Sequence, residues 1–107
     1  MLPKKLRFKN FNFNLFFKEG KKVKNKYFLI YKIENKEKKF SVNVSEKVSK
    51  LAVFRNKIKR QIYEIIRLNI EKILPGYYLI IVLPEIKNLK FKEIEYNLIS
   101  LLNKFTF

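Results

Sequence analysis

The chain contains no cysteine, histidine, tryptophan or aspartate, and only two glycines and three prolines among its 107 residues. Without cysteine there is neither a disulfide framework nor a thiolate metal site. Without histidine and cysteine, the commonest general base and the best nucleophile are missing. The 9 acidic residues, all glutamate, are scattered among lysines without metal-ligand spacing. Two distant glycines cannot build a glycine-rich phosphate loop. These absences argue against catalysis by the protein's own side chains and for a binding role. No apolar run approaches the roughly 20 residues that a membrane-spanning helix requires. Asparagines interrupt the basic amino-terminal stretch MLPKKLRFKNFNFNLFF where a signal peptide has a continuous apolar core. A cytoplasmic protein is expected, without a membrane partner or a small-molecule substrate.

What is present is positive charge. Lys and Arg number 25 against 9 acidic residues, a formal net charge of +16, in a chain that is 48% hydrophobic. The hydrophobic content predicts a folded chain, and the length one domain, 1–107, with residues 1–9 as a basic arm. A charge so lopsided repels itself unless a polyanion neutralises it. Nucleic acid leads, with an anionic membrane surface as the alternative. Richness in Lys, Asn, Ile and Phe also fits a codon bias, so lysine alone says little. Arginine is rarer and says more. Three of the four arginines fall in one stretch, FRNKIKRQIYEIIRLNI, residues 54–70.

The expected element order is αββαβα, with a short extra strand near 21–25. Asn10 is placed to cap a first helix, FNFNLFFKEG, which Gly20 ends in a left-handed cap. Phe13 and Phe17 share one face of it and Phe11 and Leu15 another, and a helix apolar all round touches two things. Residues 26–35 and 39–47 read as strands, with NKEKK between them as a hairpin loop. In the second strand Phe40, Val42 and Val44 point one way, and Ser41, Asn43 and Ser45 the other, leaving one sheet face polar and open. A helix over 55–73 carries Ile58, Ile62, Ile65, Ile66 and Ile73 at helical spacing. Tyr77 to Leu83 is wholly apolar, as a strand in the middle of a sheet would be. The last helix places Phe91, Ile94, Leu98, Leu101, Leu102 and Phe105 on one face.

On the helix after the second strand, Asn56, Arg60, Tyr63 and Arg67 stack at i, i+4, i+7 and i+11, with Arg55 and Lys59 as an adjacent row. The isoleucines occupy the other side. Arginine grips phosphate with two parallel hydrogen bonds, whereas lysine acts as a point charge. Asparagine adds a donor and an acceptor for a base edge or a 2′-hydroxyl. The same pattern also fits an amphipathic helix whose polar face is simply basic.

RNKIKRQIYE, residues 55–64, resembles the signature of the bacterial ribonuclease P protein component, Arg-Asn-Arg-x-Lys-Arg-x-x-Arg followed by an acidic or polar residue. The resemblance extends to the Phe-x-x-x-Phe helix ending in Gly, the aromatic strand ending in Tyr31, the VSEKV segment and the PGYYLIIV strand. It implies an α/β (α+β) sandwich similar to the second domain of ribosomal protein S5, αβββαβα, with a left-handed βαβ crossover. It further implies a protein subunit that binds a catalytic RNA and, with it, removes the 5′ leader of precursor tRNA. The active site and its Mg²⁺ then belong to the RNA, and the protein alone is inactive. Residue by residue, Arg55, Asn56, Lys57, Lys59 and Arg60 match the signature that contacts the catalytic RNA, with Arg67 extending the same helix row. Phe13, Phe17 and Tyr31 match the aromatics of the leader cleft; of the two phenylalanines, Phe17 is the one expected to be largely buried. Ser41, Asn43 and Ser45 form a polar floor beside it.

The chain departs from the signature at Lys57, which loses the bidentate fork, and at Tyr63, which loses the charge and is free to stack. Glu46 replaces a family lysine, with Lys47 and Lys50 as compensation. Two other functions fit the composition: a structural RNA binder resembling a ribosomal protein, and a membrane-surface protein.

Overall fold

The structure, a computed structural model, describes residues 16–18 and 20–105. Four strands form one sheet: β1 (Lys21–Lys24), β2 (Phe28–Ile33), β3 (Lys38–Asn43) and β4 (Gly76–Val82). Two helices follow β3 and β4: α1 (Ala52–Leu68) lies between them in the chain, and α2 (Phe91–Leu102) comes after β4. Residues 16–18 are helical; the expected cap at Asn10, with Phe11, Phe13 and Leu15, lies outside the described residues.

β1 and β2 form a hairpin whose turn is organised by Asn25, its Oδ1 accepting the N–H groups of Tyr27 and Phe28, both at 2.8 Å. The sheet order is β1-β2-β4-β3, with β4 antiparallel to β2 and parallel to β3. NKEKK is therefore not a hairpin loop. The connection from β2 to β3, residues 34–37, crosses a one-strand gap of about 10 Å, within the reach of four residues at ~3.3 Å each. The reason lies in GYYLIIV, which is apolar on both sides and gains most by taking the centre of the sheet. Its first residue docks on the crossing segment, Gly76 N–H donating to the Glu37 carbonyl at 2.9 Å.

Period-two alternation sends Phe28, Ile30, Phe40, Val42, Tyr78, Ile80 and Val82 to one face of the sheet. Both helices cover that face. Ile58, Ile62, Ile65 and Ile66 of α1, and Ile94, Leu98, Leu101 and Leu102 of α2, complete a single core cluster. The result is the expected α+β sandwich, one layer of sheet and one of helix.

α1 begins three residues before the expected position and ends at Leu68 rather than 73. Asn69 stops it, with its backbone N–H reaching the Ile65 and Ile66 carbonyls and its Nδ2 donating to the Ile65 carbonyl at 2.8 Å. A 3-10 turn, Ile70–Lys72, then returns Ile73 to the core. The apolar spacing continues across this break, which is why periodicity reads straight through it.

Both glycines sit where backbone or side chain comes close. A Cβ on Gly20 would lie 2.4 Å from the Phe16 carbonyl oxygen, to which the Gly20 N–H donates at 2.9 Å. At Gly76 (φ +154°), a Cβ would meet Lys32 Cε at 2.7 Å and the Ile33 carbonyl oxygen at 3.2 Å.

Candidate RNA interface

The face of the sheet turned away from the helices carries the other half of the alternation. Register places Lys22, Tyr31, Leu79 and Ser41 in one row across all four strands, and Lys24, Leu29, Ile81 and Asn43 in the next. A third row runs Ile33, Tyr77, Lys39. Paired residues point to the same side, so aromatic and aliphatic groups occupy the middle, lysines both edges, and Ser41 and Asn43 the β3 side. Helical residues 16–18 lie over part of this face: the Phe17 ring meets Tyr31 edge-on, centroids 5.1 Å apart at 64°. Among the described residues, Phe16 and Leu79 are the two buried apolar groups that stand outside the main core. A small second core thus anchors the helix turn and leaves Tyr31 half-exposed beside it.

Phe17 is 53% exposed, against expectation, and its neighbour Phe16 is the buried one. In a segment where apolar residues fall on every side, spacing cannot tell which ring faces the sheet. Phe13 lies outside the described residues. Ser45 was expected to continue the strand alternation, but β3 ends at Asn43, and Ser45 belongs to the loop that leads to α1.

That loop is fixed from both ends. Val48 is fully buried, its N–H donating to the Ser45 carbonyl at 3.0 Å. Arg55 Nη1 donates to the Ser49 carbonyl at 2.8 Å, and the Leu51 N–H to Ser49 Oγ at 3.1 Å. Arg55 therefore spends one of its five donors on the loop, holding Lys47 and Lys50 near the start of α1.

On α1 the isoleucines face the core as expected, and Asn56, Lys57 and Arg60 are exposed with Lys59 partly so. No acidic residue stands in the first turn and no side chain caps it, so the positive end of the helix dipole adds to the cationic front. Arg67 is exposed but engaged, its Nε donating to Glu64 Oε2 at 3.0 Å and its Nη2 to Glu64 Oε1. These bonds hold the Glu64 carboxyl below its ordinary pKa and the Arg67 guanidinium above. Its fork is thus less available to an RNA phosphate than that of Arg60.

Tyr63 does not join this front. Only 8% exposed, it turns over the margin of the helix into the core, and its hydroxyl accepts the Val42 N–H at 3.3 Å. β3 is an edge strand, and the phenol satisfies a donor that no neighbouring strand reaches. Tyr63→Phe is expected to lower stability by about 1 kcal/mol while leaving RNA affinity unchanged. Chemical denaturation beside a binding titration checks both. A loss of affinity without loss of stability would return Tyr63 to the RNA-facing side.

Lys22, Lys24, Lys39 and Tyr77 were missed by sequence reasoning. The alternation in KKVK carries the signal, but only the register shows that these lysines flank Tyr31. Among the described residues no three carboxylates converge, so none forms a protein-made site for a divalent cation. No described helix is long and apolar enough to cross a membrane.

A family model described as Ribonuclease P matches residues 2–106. The ribonuclease P protein component of Clostridium botulinum (strain 657 / Type Ba4) is 40% identical over 108 residues, 97% of this chain and 96% of that protein. That of Clostridioides difficile (strain 630) is 38% identical over 100 residues, 90% and 87% of the two chains. Among solved structures, the RNase P protein of Staphylococcus aureus matches with a TM-score of 0.83 at 30% identity, covering 92% of this chain and 94% of that one. The Thermotoga maritima protein matches at 0.81 and 30% identity, covering 88% and 91%. With the RNKIKR helix and the aromatic sheet face set in that same fold, the chain belongs to the ribonuclease P protein family.

Proposed function

We propose that this protein component of ribonuclease P binds the catalytic RNA through the front of α1 and the single-stranded 5′ leader of precursor tRNA across the open face of the sheet. The observation that carries this is the Phe17–Tyr31 pair, half-exposed on a face bordered by Lys22, Lys24 and Lys39. Unpaired bases stack on such rings with little sequence preference, and the flanking ammonium groups follow the backbone. Ser41 and Asn43 offer hydrogen bonds along the same track, and Ser45 and Lys47 extend it towards α1. Arg55, Asn56, Lys57, Lys59 and Arg60 then meet the catalytic RNA, and Arg67 reaches it at the far end by exchanging Glu64 for phosphate.

The chemistry of cleavage falls to the RNA. Mg²⁺ there would activate the attacking water, and the described carboxylates, no three of which converge, do not fit such an ion. What the protein residues do is neutralise phosphates, hold the leader extended and keep it in register with the RNA. Such a ribonucleoprotein would act in the cytoplasm.

Arg60→Ala removes one phosphate contact, which should weaken RNA binding and flatten the slope of log K against log salt by roughly one unit. Titrations at several salt concentrations measure this, and an unchanged slope removes Arg60 from the interface. RNA that co-purifies with the protein separates this reading from a purely structural one: a single medium-sized RNA supports it, and ribosomal RNA opposes it.

A further inference from the structure

Lys32 is a lysine at a core position. It follows Phe28 and Ile30 on the inward face of β2 and is only 3% exposed. Its stem runs over Gly76, and its Nζ lies 5.6 Å from the Tyr78 ring centroid and 5.8 Å from that of Phe105. The nearest carboxylate among the described residues, Glu34, is 70% exposed and sits 3.7 Å away. A charge-assisted hydrogen bond is closer to 2.7–2.9 Å, so this pair is loose. Burial, reinforced by the charge of Glu34, raises the Tyr78 pKa, so the phenol stays neutral; its hydroxyl donates to the Leu74 carbonyl at 2.7 Å. A desolvated ammonium with three donors thus faces two rings and, among the described residues, one exposed carboxylate at 3.7 Å.

It opens into a cleft of about 470 Å³ lined by Lys21, Lys32, Glu34, Asn35, Lys36, Leu74, Pro75 and Phe105. Among the described lining residues three ammonium groups stand against one carboxylate, a balance that favours an anion. Its position matters too. β3 and β4 both start at this end, at Lys38 and Gly76, and run towards Asn43 and Val82, beyond which the loop enters α1. Six residues of strand span about 20 Å, so the cleft lies at the pole opposite the start of the cationic helix.

We propose that this cleft binds a phosphodiester of the RNA partner, with Lys32 as the buried donor, Lys21 and Lys36 as the rim, and Glu34 as a placeholder that the phosphate displaces. The inference rests on the reading of the chain as an RNA-binding subunit and adds a second anchor to it. Lys21 and Lys36 are exposed, so replacing both with alanine preserves the fold. In binding titrations with the ribonuclease P RNA, the double variant is expected to flatten the salt slope by roughly one unit. Glu34→Gln is expected to tighten binding, and more than Glu85→Gln at the other end of β4, because only the first frees Lys32. Equal effects of the two glutamine variants, or an unchanged slope for the double variant, overturn the proposal.

The absence of native cysteine permits a second measurement. An iron chelate on Asn35→Cys should cut the bound RNA at a site distinct from that cut by a chelate on Lys57→Cys. No cut from position 35 while position 57 cuts removes the cleft alone; no RNA binding at all removes the parent reading with it. Saturation of the cleft by inorganic phosphate, with the salt slope of the double variant unchanged, would assign it to a free anion instead.

Discussion

Tyr31→Ala is expected to weaken binding of precursor tRNA carrying a 5′ leader by about 5- to 150-fold, the equivalent of the ~1–3 kcal/mol that one base–aromatic stack contributes. Mature tRNA without a leader should bind as before. The ring is partly exposed, propped edge-on by Phe17, and lies in a row between Lys22 and Leu79. It has three things that suit a stacking platform: a partly exposed ring, a second ring against it and a lysine on the neighbouring strand. Tyr31→Phe should retain most of the affinity, because the ring and not the hydroxyl makes the stack. Affinities of the complex for leader-bearing and leaderless tRNA check this directly. An equal loss on both substrates would mean that Tyr31 supports the fold of the face rather than the leader.

Ile62→Ala should lower stability by roughly 2–5 kcal/mol, the range for a fully buried isoleucine that leaves a cavity. Ile62 is completely buried on the sheet side of α1, two residues from the exposed Arg60. Set against the ~5–15 kcal/mol of a typical domain, this is a large share of what holds α1 in place. The urea midpoint should fall with little change in slope. RNA affinity of the folded fraction should hold, since Ile62 lies in the core and away from the proposed interface. A stability loss below about 1 kcal/mol would indicate that α1 is not seated by its isoleucines.

Local features of this fold are readable along the chain because they depend on neighbours in sequence. Ser41 and Asn43 share a face by strand alternation, and Ile58, Ile62, Ile65 and Ile66 share one by helical spacing. Long-range features are not. β2 and β3 are close in sequence, yet β4, more than thirty residues on, separates them, because its two-sided apolarity requires a neighbour on each edge. Tyr63 sits at helical spacing with Asn56 and Arg60, but an unpaired edge N–H on β3 draws its hydroxyl inward. Lys32 resembles every other lysine of a lysine-rich chain until the aromatic rings around it are seen. As for the candidate site, the rarity of arginine draws attention to the front of α1, and the family resemblance is what proposes RNA for it. The lysines bordering Tyr31 emerge only once the strands are in register.

A cleavage assay tests the central claim most directly. Purified protein, freed of all RNA, is incubated with precursor tRNA, then with the ribonuclease P RNA at low Mg²⁺, beside a control with the RNA alone. The expected result is no leader removal by the protein, and efficient removal once protein and RNA are combined. Leader cleavage by the RNA-free protein, or no gain when it is added to the RNA, would contradict the division of labour proposed here.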